Sequence, residues 1–392
     1  MKAAMIVGLL AMAAICMAQS NWQIGTPIVT YYAGPSMTDA TAQQMAEGNF
    51  NVVWCQESQL ETVHAHGLRG MLRDGLLNPA VLEDEAKRAQ LDALIERVKG
   101  HPALYSYYLI DEPNASRFPE FGRLVAYLRE KDPARMAYIN LFPTYATNEQ
   151  LGNKGDLVTA YTEHLQQFVD IVKPDLISYD HYHFAANGDR DQYFLNLALI
   201  RDAALAAGVP FLNIVQACSW TPSMRVPNTS EVRWLVNTSL AYGAQGISYY
   251  VYSHVNHEGA LATLDGEPTL LYQGLKRANR DFANIATQLQ PLTSLAAYHT
   301  GAVPRGAIGL PPDAPLRVAE DVPMLIGYFG PEGGTATHFA IVNLDYTGPV
   351  QVTVIAAGAL ESFNPGSGRW SPVQRPGLRL EAGGVRLLRL SK

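Results

Sequence analysis

The chain has 392 residues, of which 48% are hydrophobic and 17% are charged, so it has enough apolar material for a large globular core. Its formal net charge is −7, and its basic residues form no cluster in the sequence. This charge balance excludes the electrostatic footprint that binding to nucleic acid or to an anionic membrane requires. The length indicates either one large domain accompanied by a smaller one or two to three domains of average size.

The N-terminus has the pattern of a signal peptide. Lys2 precedes an apolar run over 3–16, and Ala18 ends the segment. We expect cleavage after Ala18 and a mature protein that is secreted or periplasmic. Lipid attachment at Cys16 is disfavoured because Ile15 stands where a small residue is normally required. No later apolar run reaches the length that spans a bilayer, so we predict no membrane anchor.

Two cysteines remain after cleavage, Cys55 and Cys218, which excludes a disulfide-rich scaffold. Both lie at the ends of predicted strands, and a bridge between them is left open. The spacing of Cys and His predicts no metal site, and no motif predicts an organic cofactor. Nothing in the sequence indicates an oligomeric state.

Strand-like and helical stretches alternate between residue 27 and about residue 292. The strand-like runs are 27–34, 50–54, 67–73, 104–112, 136–142, 175–183, 211–220 and 246–254. The helical stretches are 41–47, 57–65, 83–99, 117–131, 156–172, 191–207, 229–243 and 268–289. Eight strands that are each followed by a helix predict an α/β fold of the (β/α)8 TIM-barrel type. A doubly wound sheet would need a Gly-rich phosphate turn after the first strand, and residues 32–35 do not form one.

The pattern changes after residue 293. Short alternating segments separated by Gly, Pro and Asp turns replace the helical periodicity, which predicts a small all-β sandwich. The expected organisation is therefore a signal peptide over 1–18, a catalytic barrel over 19–292 and an accessory β-sandwich domain over 293–392.

The most informative segment is 104–114, an apolar and aromatic strand that ends in Asp111, Glu112 and Pro113. Burial of a carboxylate is costly unless something uses or compensates it, so acids at the tip of a core strand indicate a site. The carboxyl ends of barrel strands carry the catalytic groups in this fold. The alternative, purely structural interpretation is that Asp111 caps the following helix while Glu112 is solvated.

The alternation of side chains along a barrel strand predicts which residues face the lumen. Counting back from Glu112 places Ile110, Tyr108 and Ser106 inward and Asp111 on the other face. On the sixth strand Asp180 faces inward. A lumen lined by hydroxyl, amide and carboxyl groups favours a ligand rich in hydroxyls.

Other polar and aromatic residues at predicted strand ends extend this candidate binding surface. They are Tyr32, Trp54, Arg73, Asn140, Tyr182, Gln216, Trp220, Tyr250 and Tyr252. Each has an ordinary alternative: the tryptophans as core filler, and Arg73 in an ion pair with Asp74. His181 and His183 are interpreted as hydrogen-bonded supports rather than bases.

The chemistry that requires this set is glycoside hydrolysis. Two carboxyl groups flank the scissile bond, one to protonate the leaving oxygen and one to stabilise or attack the oxocarbenium-like centre. The acid needs a raised pKa, which desolvation by an aromatic wall and a neighbouring carboxylate can supply. Glu112 is the best candidate for that acid. A carbohydrate is the predicted binding partner.

The chain resembles the (β/α)8 glycoside hydrolases of clan A, whose fourth strand ends in Asn-Glu-Pro and which often carry a C-terminal β-sandwich. Here the tripeptide is Asp111-Glu112-Pro113, and the resemblance implies that Glu112 is the acid/base. The clan's nucleophile is a Glu that ends the seventh strand. In this chain that strand has Gln216 and no acid, so the resemblance does not supply the second carboxylate.

Two hypotheses supply what is missing. Asp180 is the favoured second carboxylate, an arrangement similar to clan D, where the acids end strands four and six. Alternatively, the pair of Asp111 and Glu112 resembles that of family 20 and family 123 hexosaminidases. In those enzymes the Asp orients the 2-acetamido group of the substrate, which attacks the anomeric carbon. A third hypothesis, of another class, is a non-catalytic carbohydrate-binding protein on a hydrolase-like barrel.

Overall fold

The computed structural model describes residues 20–375 and 377–391. The predicted signal peptide lies outside these residues. Over the described ranges, no helix has the length and apolar character needed to cross a membrane. Cys55 and Cys218 are both buried as free thiols, so no bridge joins them.

The eight predicted strands are confirmed, and in the described chain they form one parallel sheet that curls into a barrel. They are β1 Ile28–Tyr32, β2 Val52–Cys55, β3 Arg69–Leu72, β4 Leu104–Asp111, β5 Met136–Leu141, β6 Ile177–His181, β7 Phe211–Gln216 and β8 Gly246–Tyr250. The hydrogen-bonded order runs β1, β8, β7, β6, β5, β4, β3, β2. The observed β8 is shorter than the predicted run 246–254.

Asn51 closes the barrel between β1 and β2. Its backbone N–H donates to the carbonyl of Val29 (3.0 Å), and its side-chain oxygen accepts from the Val29 N–H (3.0 Å). The side-chain nitrogen donates to the carbonyl of Pro27 (2.8 Å). The amide of one side chain thus takes the place of a strand residue at the seam, because its donor and acceptor match those of a peptide group.

Helices follow the strands as the sequence predicts. They are α1 Asp39–Glu47, α2 Leu60–Ala65, α3 Glu85–Val98, α4 Phe118–Lys131, α5 Asn148–Leu151, α6 Leu157–Gln167, α7 Tyr193–Ala207, α8 Thr229–Ala241 and α9 Leu270–Leu289. A π-helical turn over Phe168–Val172 extends α6. Lys173 and Gly208 end their helices with left-handed backbones before a proline, which cannot continue a helix.

The C-terminal strands form a β-sandwich, as predicted. Its strands are β9 Thr293–His299, β10 Leu316–Val318, β11 Met324–Gly330, β12 His338–Asn343, β13 Val350–Ala356, β14 Leu360–Asn364, β15 Arg369–Pro372, β16 Gly377–Leu380 and β17 Val385–Leu390. Strands β10, β13 and β16 make the smaller sheet, and the others belong to the larger one. Residues such as Ile326, Phe339 and Val352 fill the space between the sheets.

The outer face of the larger sheet packs against the barrel. Leu325, Phe329 and Val342 belong to the same buried cluster as the helices around the barrel, so one apolar core runs through both parts. Polar contacts reinforce this interface: Asn237 of α8 donates to the carbonyl of Gly383 (2.8 Å), and the Tyr242 hydroxyl pairs with His299 (3.0 Å). The sandwich is therefore continuous with the barrel core.

We expect Gly327→Ala to destabilise the protein by about 1–3 kcal/mol, the usual cost of overpacking. An added Cβ would lie 2.1 Å from the carbonyl oxygen of Ala241 in α8, and backbone cannot yield without displacing the helix. Urea unfolding measures the effect. Gly309→Ala is the matched control, because its added Cβ meets its nearest atom, Val303 Cγ2, at an ordinary 3.5 Å. Equal unfolding midpoints for the two variants would contradict this packing.

Candidate active site

A β-bulge in β4 decides where its acids point. Tyr108 pairs with Tyr138 and Asp111 pairs with Asn140, but the register shifts by one between Tyr108 and Ile110. Leu109 and Ile110 consequently both pack on the helix side. Two of our expectations are wrong for this reason, because Ile110 faces outward and Asp111 faces the lumen.

Glu112 follows the strand with a left-handed backbone (φ +44°), which is unfavourable for a residue with a Cβ. Its backbone N–H donates to the Asn140 carbonyl (2.9 Å), so the β4–β5 ladder holds this conformation in place. The half-buried Glu112 side chain thereby reaches the lumen beside that of Asp111. Two sequential carboxylates thus share one side of the strand end.

Asn140, on β5, joins the acids at the ends of the two neighbouring strands, β4 and β6. Its side-chain nitrogen donates to Asp111 Oδ1 (2.9 Å) and to Asp180 Oδ1 (2.9 Å). Its side-chain oxygen accepts from Ser178 Oγ (2.9 Å), which is itself bonded to the Tyr138 hydroxyl (2.7 Å). Asn140 is 1% exposed, so our expectation that it contacts the sugar is wrong. It is a positioning residue, since both of its N–H groups orient carboxylates.

Glu112 and Asp180 form a carboxyl pair close enough to share a hydrogen bond. Burial, with the charge of Asp111 added, raises the pKa of Glu112 to about 7, while the hydrogen bond to Asp180 opposes the rise. Asp180 is fully buried, and burial together with the charges of Glu112 and Asp111 raises its pKa well above the usual range. The pair therefore retains a proton near neutral pH, and its titration belongs to both groups together.

Asp111 stands beside this pair and is accessible from the cleft. Its Oδ2 accepts from the Tyr32 hydroxyl (2.8 Å), which also contacts the Tyr108 hydroxyl (3.1 Å). Desolvation by the surrounding protein raises the pKa of Asp111, although the hydrogen bonds from Asn140 and Tyr32 oppose it. Within residues 20–375 and 377–391, no Lys, Arg or His forms an ion pair with any of the three acids, and no group of His, Cys, Asp and Glu is arranged to hold a metal ion.

Aromatic rings form two walls beside the acids. On one side Trp54 contacts Tyr32 and Tyr108, with ring centroids 4.8 and 4.9 Å apart, and the Arg73 guanidinium lies 4.6 Å from the Trp54 ring. On the other side Trp220 contacts Tyr182 and Tyr250 at 4.7 and 4.8 Å. The structure thus brings six of the predicted binding residues to the barrel mouth, namely Tyr32, Trp54, Arg73, Tyr182, Trp220 and Tyr250. In the described chain Arg73 forms no ion pair with Asp74, so that alternative is wrong.

Two separate sets of residues line cavities at this mouth. The larger, of about 1070 Å³, runs over the loops that follow β1, β2 and β3 and is lined by residues such as Gln56, Arg73 and Tyr108. The smaller, of about 210 Å³, contains Glu112 and Asp180. Tyr145, Tyr182, Arg190 and Trp220 also line this smaller cavity, which we call the acid pocket.

Gln216 and Tyr252 are not part of the binding surface, so both expectations are wrong. Gln216 is fully buried, and its amide bonds main-chain groups of Phe184, Cys218 and Arg225. It braces the loops above the strand where clan A enzymes carry their nucleophile. Tyr252 lies beyond the end of β8, so the strand alternation does not reach it, and it packs against Tyr31 on the helix side.

Two residues of the acid pocket were missed. Tyr145 lies in the loop after β5, and its hydroxyl accepts from the Tyr182 N–H (3.2 Å). Arg190 lies in the excursion after β6, with its guanidinium 4.5 Å from the Tyr145 ring. Neither ends a strand, so strand-end counting could not find them. His181 is a buried support bonded to Asn196 (2.9 Å), and burial lowers its pKa to about 3.

We expect the free energy of unfolding to fall as pH rises through about 7. In the unfolded chain Glu112 has its ordinary pKa of 4.5, whereas in the folded protein burial raises this pKa to about 7. The folded state therefore binds more protons in this window, and stability declines with pH. Urea unfolding between about pH 5 and about pH 8 should show a flatter dependence in Glu112→Gln. The exposed Glu332→Gln should keep the wild-type slope, and an unchanged slope in Glu112→Gln would contradict the raised pKa.

Solved structures of glycoside hydrolases have a similar fold. A glycoside hydrolase family 5 structure from Bacteroides vulgatus aligns with a TM-score of 0.54 at 12% identity, over 94% of this chain and 88% of that one. Another glycoside hydrolase aligns at 0.53 and 11% identity, over 92% and 90%. The β-galactosidase of the psychrophilic Marinomonas ef1 aligns at 0.50 and 13% identity over 67% of this chain, which spans 60% of that enzyme.

These likenesses, at low sequence identity, show that the molecule shares its fold with glycoside hydrolases. No family model matches the sequence, and no curated protein matches it either.

Proposed function

We propose that the chain is an exported glycoside hydrolase that cleaves O-glycosidic bonds of oligo- or polysaccharides. Glu112 serves as the general acid and Asp180 as the second carboxylate. The observation that carries the proposal is the pair of proton-holding carboxyl groups at the barrel mouth, flanked by aromatic walls. A raised pKa is what an acid catalyst needs near neutral pH, and aromatic faces suit the apolar faces of sugar rings.

The separation of the two carboxyl groups decides between a retaining and an inverting mechanism. Inverting enzymes separate their acids by about 6.5–9.5 Å to hold a water, and retaining enzymes by about 5–5.5 Å. In a retaining mechanism the proton that the pair retains lies on Glu112, which protonates the leaving oxygen while the ionised Asp180 attacks the anomeric carbon. Glu112, now a carboxylate, then activates water as a base.

Asp111 supports the alternative mechanism, that of a substrate-assisted N-acetylhexosaminidase. It faces the cleft directly beside Glu112, and Tyr32 and Asn140 hold its carboxylate in place. An acid so fixed is suited to orient a 2-acetamido group of the substrate. No protein nucleophile is then needed, and Asp180 would only modulate the pKa of Glu112.

A non-catalytic carbohydrate-binding protein is the alternative of another class. The left-handed backbone of Glu112 and the burial of Asp180 argue against it, because both cost free energy that a simple binding surface does not require. Turnover of aryl glycosides and polysaccharides by the full mature chain distinguishes the two classes. Saccharide binding without turnover on any of these substrates would contradict the hydrolase.

A further inference from the structure

The acid pocket contains an arginine whose hydrogen-bonding capacity is unmet. A guanidinium carries five N–H donors. Among the described residues, the buried Nε of Arg190 has no partner, and the hydrogen bond of Nη2 goes to the thioether sulfur of Met224 at 3.8 Å, a weak acceptor. The Tyr145 ring covers its face. Half-buried positive charge without an anion is costly, so the pocket has a place for an acceptor that the protein does not supply.

Arg190 does not neutralise the catalytic acids. It lies in the same pocket as Glu112 and Asp180, yet it forms no ion pair with either of them. An arginine placed to compensate those acids would lower their pKa values, whereas both are raised. Its guanidinium is thus available to a ligand.

The loop that carries Arg190 is anchored from several sides. The Arg190 N–H donates to the His183 carbonyl (3.0 Å), and Gln216 braces both the N–H and the carbonyl of Phe184. The neighbouring Asp189 accepts from Arg225 (3.2 Å) and from the Tyr346 hydroxyl of the sandwich. The backbone that carries Arg190 is therefore fixed in place, which lowers the entropic cost of binding a ligand there.

From these contacts we propose that Arg190 makes the acid pocket selective for a sugar ring that bears an oxyanion, either a uronic carboxylate or a sulfate ester. This rests on the proposed function, since the pocket is the one that contains the catalytic pair. The planar fork of a guanidinium matches the two oxygens of such a group, and charge-assisted hydrogen bonds of this kind are strong. The acid pocket has a volume of about 210 Å³ and is lined by both proposed catalytic acids and by Arg190. The neutral hydroxyls of that ring meet the aromatic and acidic groups around it.

Calorimetric binding of methyl glycosides to the full mature chain tests the proposal without requiring turnover. The ligands are the methyl glycosides of glucose, galactose, glucuronate and galacturonate and a monosulfated methyl galactoside. We expect at least one anionic ligand to bind ~10-fold or more tightly than its neutral counterpart, with a preference that shrinks as salt is added. Preference for the uronates identifies a carboxylate, and preference for the sulfated sugar identifies a sulfate.

Variants assign the preference to Arg190. Arg190→Gln should weaken binding of the anionic sugar by ~10–100-fold and leave the neutral sugar within about 2-fold. Arg190→Lys keeps the positive charge but lacks the planar guanidinium fork, so its affinity for the anionic sugar should lie between those of the wild type and of Arg190→Gln. Arg369→Gln, at an exposed position of β15, is the control and should behave as wild type.

Two results would overturn the proposal: equal binding of neutral and anionic sugars by the wild type, or an unchanged preference in both Arg190 variants. Turnover of neutral glycosides with no anion preference would reject it while the hydrolase function stands. Selective binding of an anionic sugar without any turnover would support it and reject the hydrolase.

Discussion

Glu112→Gln is expected to lower kcat by ~10²–10⁴-fold on glycosides with poor leaving groups, the usual contribution of a general acid. Gln keeps the shape of the side chain but cannot deliver a proton to the leaving oxygen. A substrate with an activated leaving group, such as a 2,4-dinitrophenyl glycoside, needs no such proton and should retain most of its rate in the first step. The measurement that identifies the general acid is therefore the loss of kcat on a poor leaving group divided by the loss on an activated one.

Stability and sugar binding show whether the Glu112→Gln protein remains intact. At about pH 8 the variant should be at least as stable as wild type, because it removes a carboxyl whose pKa is raised to about 7 by burial. Glu332→Gln, in an exposed turn, is the matched control for activity. Activity on a poor leaving group within a few-fold of wild type would show that Glu112 is not the acid.

Asp180→Asn is expected to abolish turnover whatever the leaving group, because a nucleophile is needed before any leaving group can depart. The fold should survive, since the Asn side chain can still accept from Asn140 as Asp180 does. Asp111→Asn should be milder, because it keeps the contacts with neighbouring groups and restores the clan A tripeptide. Kinetics on matched glucoside, galactoside and N-acetylhexosaminide substrates measure both variants.

The same pair of variants identifies the alternative mechanism. If Asp111→Asn is the crippling change and only 2-acetamido sugars are cleaved, the substrate supplies its own nucleophile. Asp313→Asn, at an exposed site in the sandwich, controls for the change of charge. Wild-type rates in Asp180→Asn would exclude Asp180 as the second carboxylate.

The barrel could be predicted from the sequence because its signals are local. Apolar runs bounded by Lys173-Pro174 or by Gly208-Val209-Pro210 mark where a helix ends and a strand begins, and the structure has those turns. The fold also explains why Tyr32, Trp54, Trp220 and the acids converge, since the carboxyl ends of parallel strands share one rim. The roles of these residues remain predictions.

The side-chain directions at the rim could not be predicted in full. A bulge at Leu109 moves Asp111 into the lumen, and simple alternation contains no signal for an extra residue. Gln216 ends a strand, as a binding residue would. Loops from distant parts of the chain cover it, however, and their main-chain groups form hydrogen bonds with its side-chain amide. Tyr145 and Arg190 reach the acid pocket from those loops.

The sequence by itself determined the order of strands and helices and the change to a β-sandwich near residue 293. It also determined that paired acids end β4. These features could be read locally, because propensity, periodicity and turn residues act over a few positions. Tertiary structure alone decided that Asn140 holds Asp111 and Asp180 together, that Glu112 meets Asp180 and that Arg190 lacks an acceptor. The residues that interact are 29, 40 and 68 positions apart (140 − 111, 180 − 140 and 180 − 112), and the pKa shifts of the acids arise from burial and proximity, which exist only once the barrel has closed.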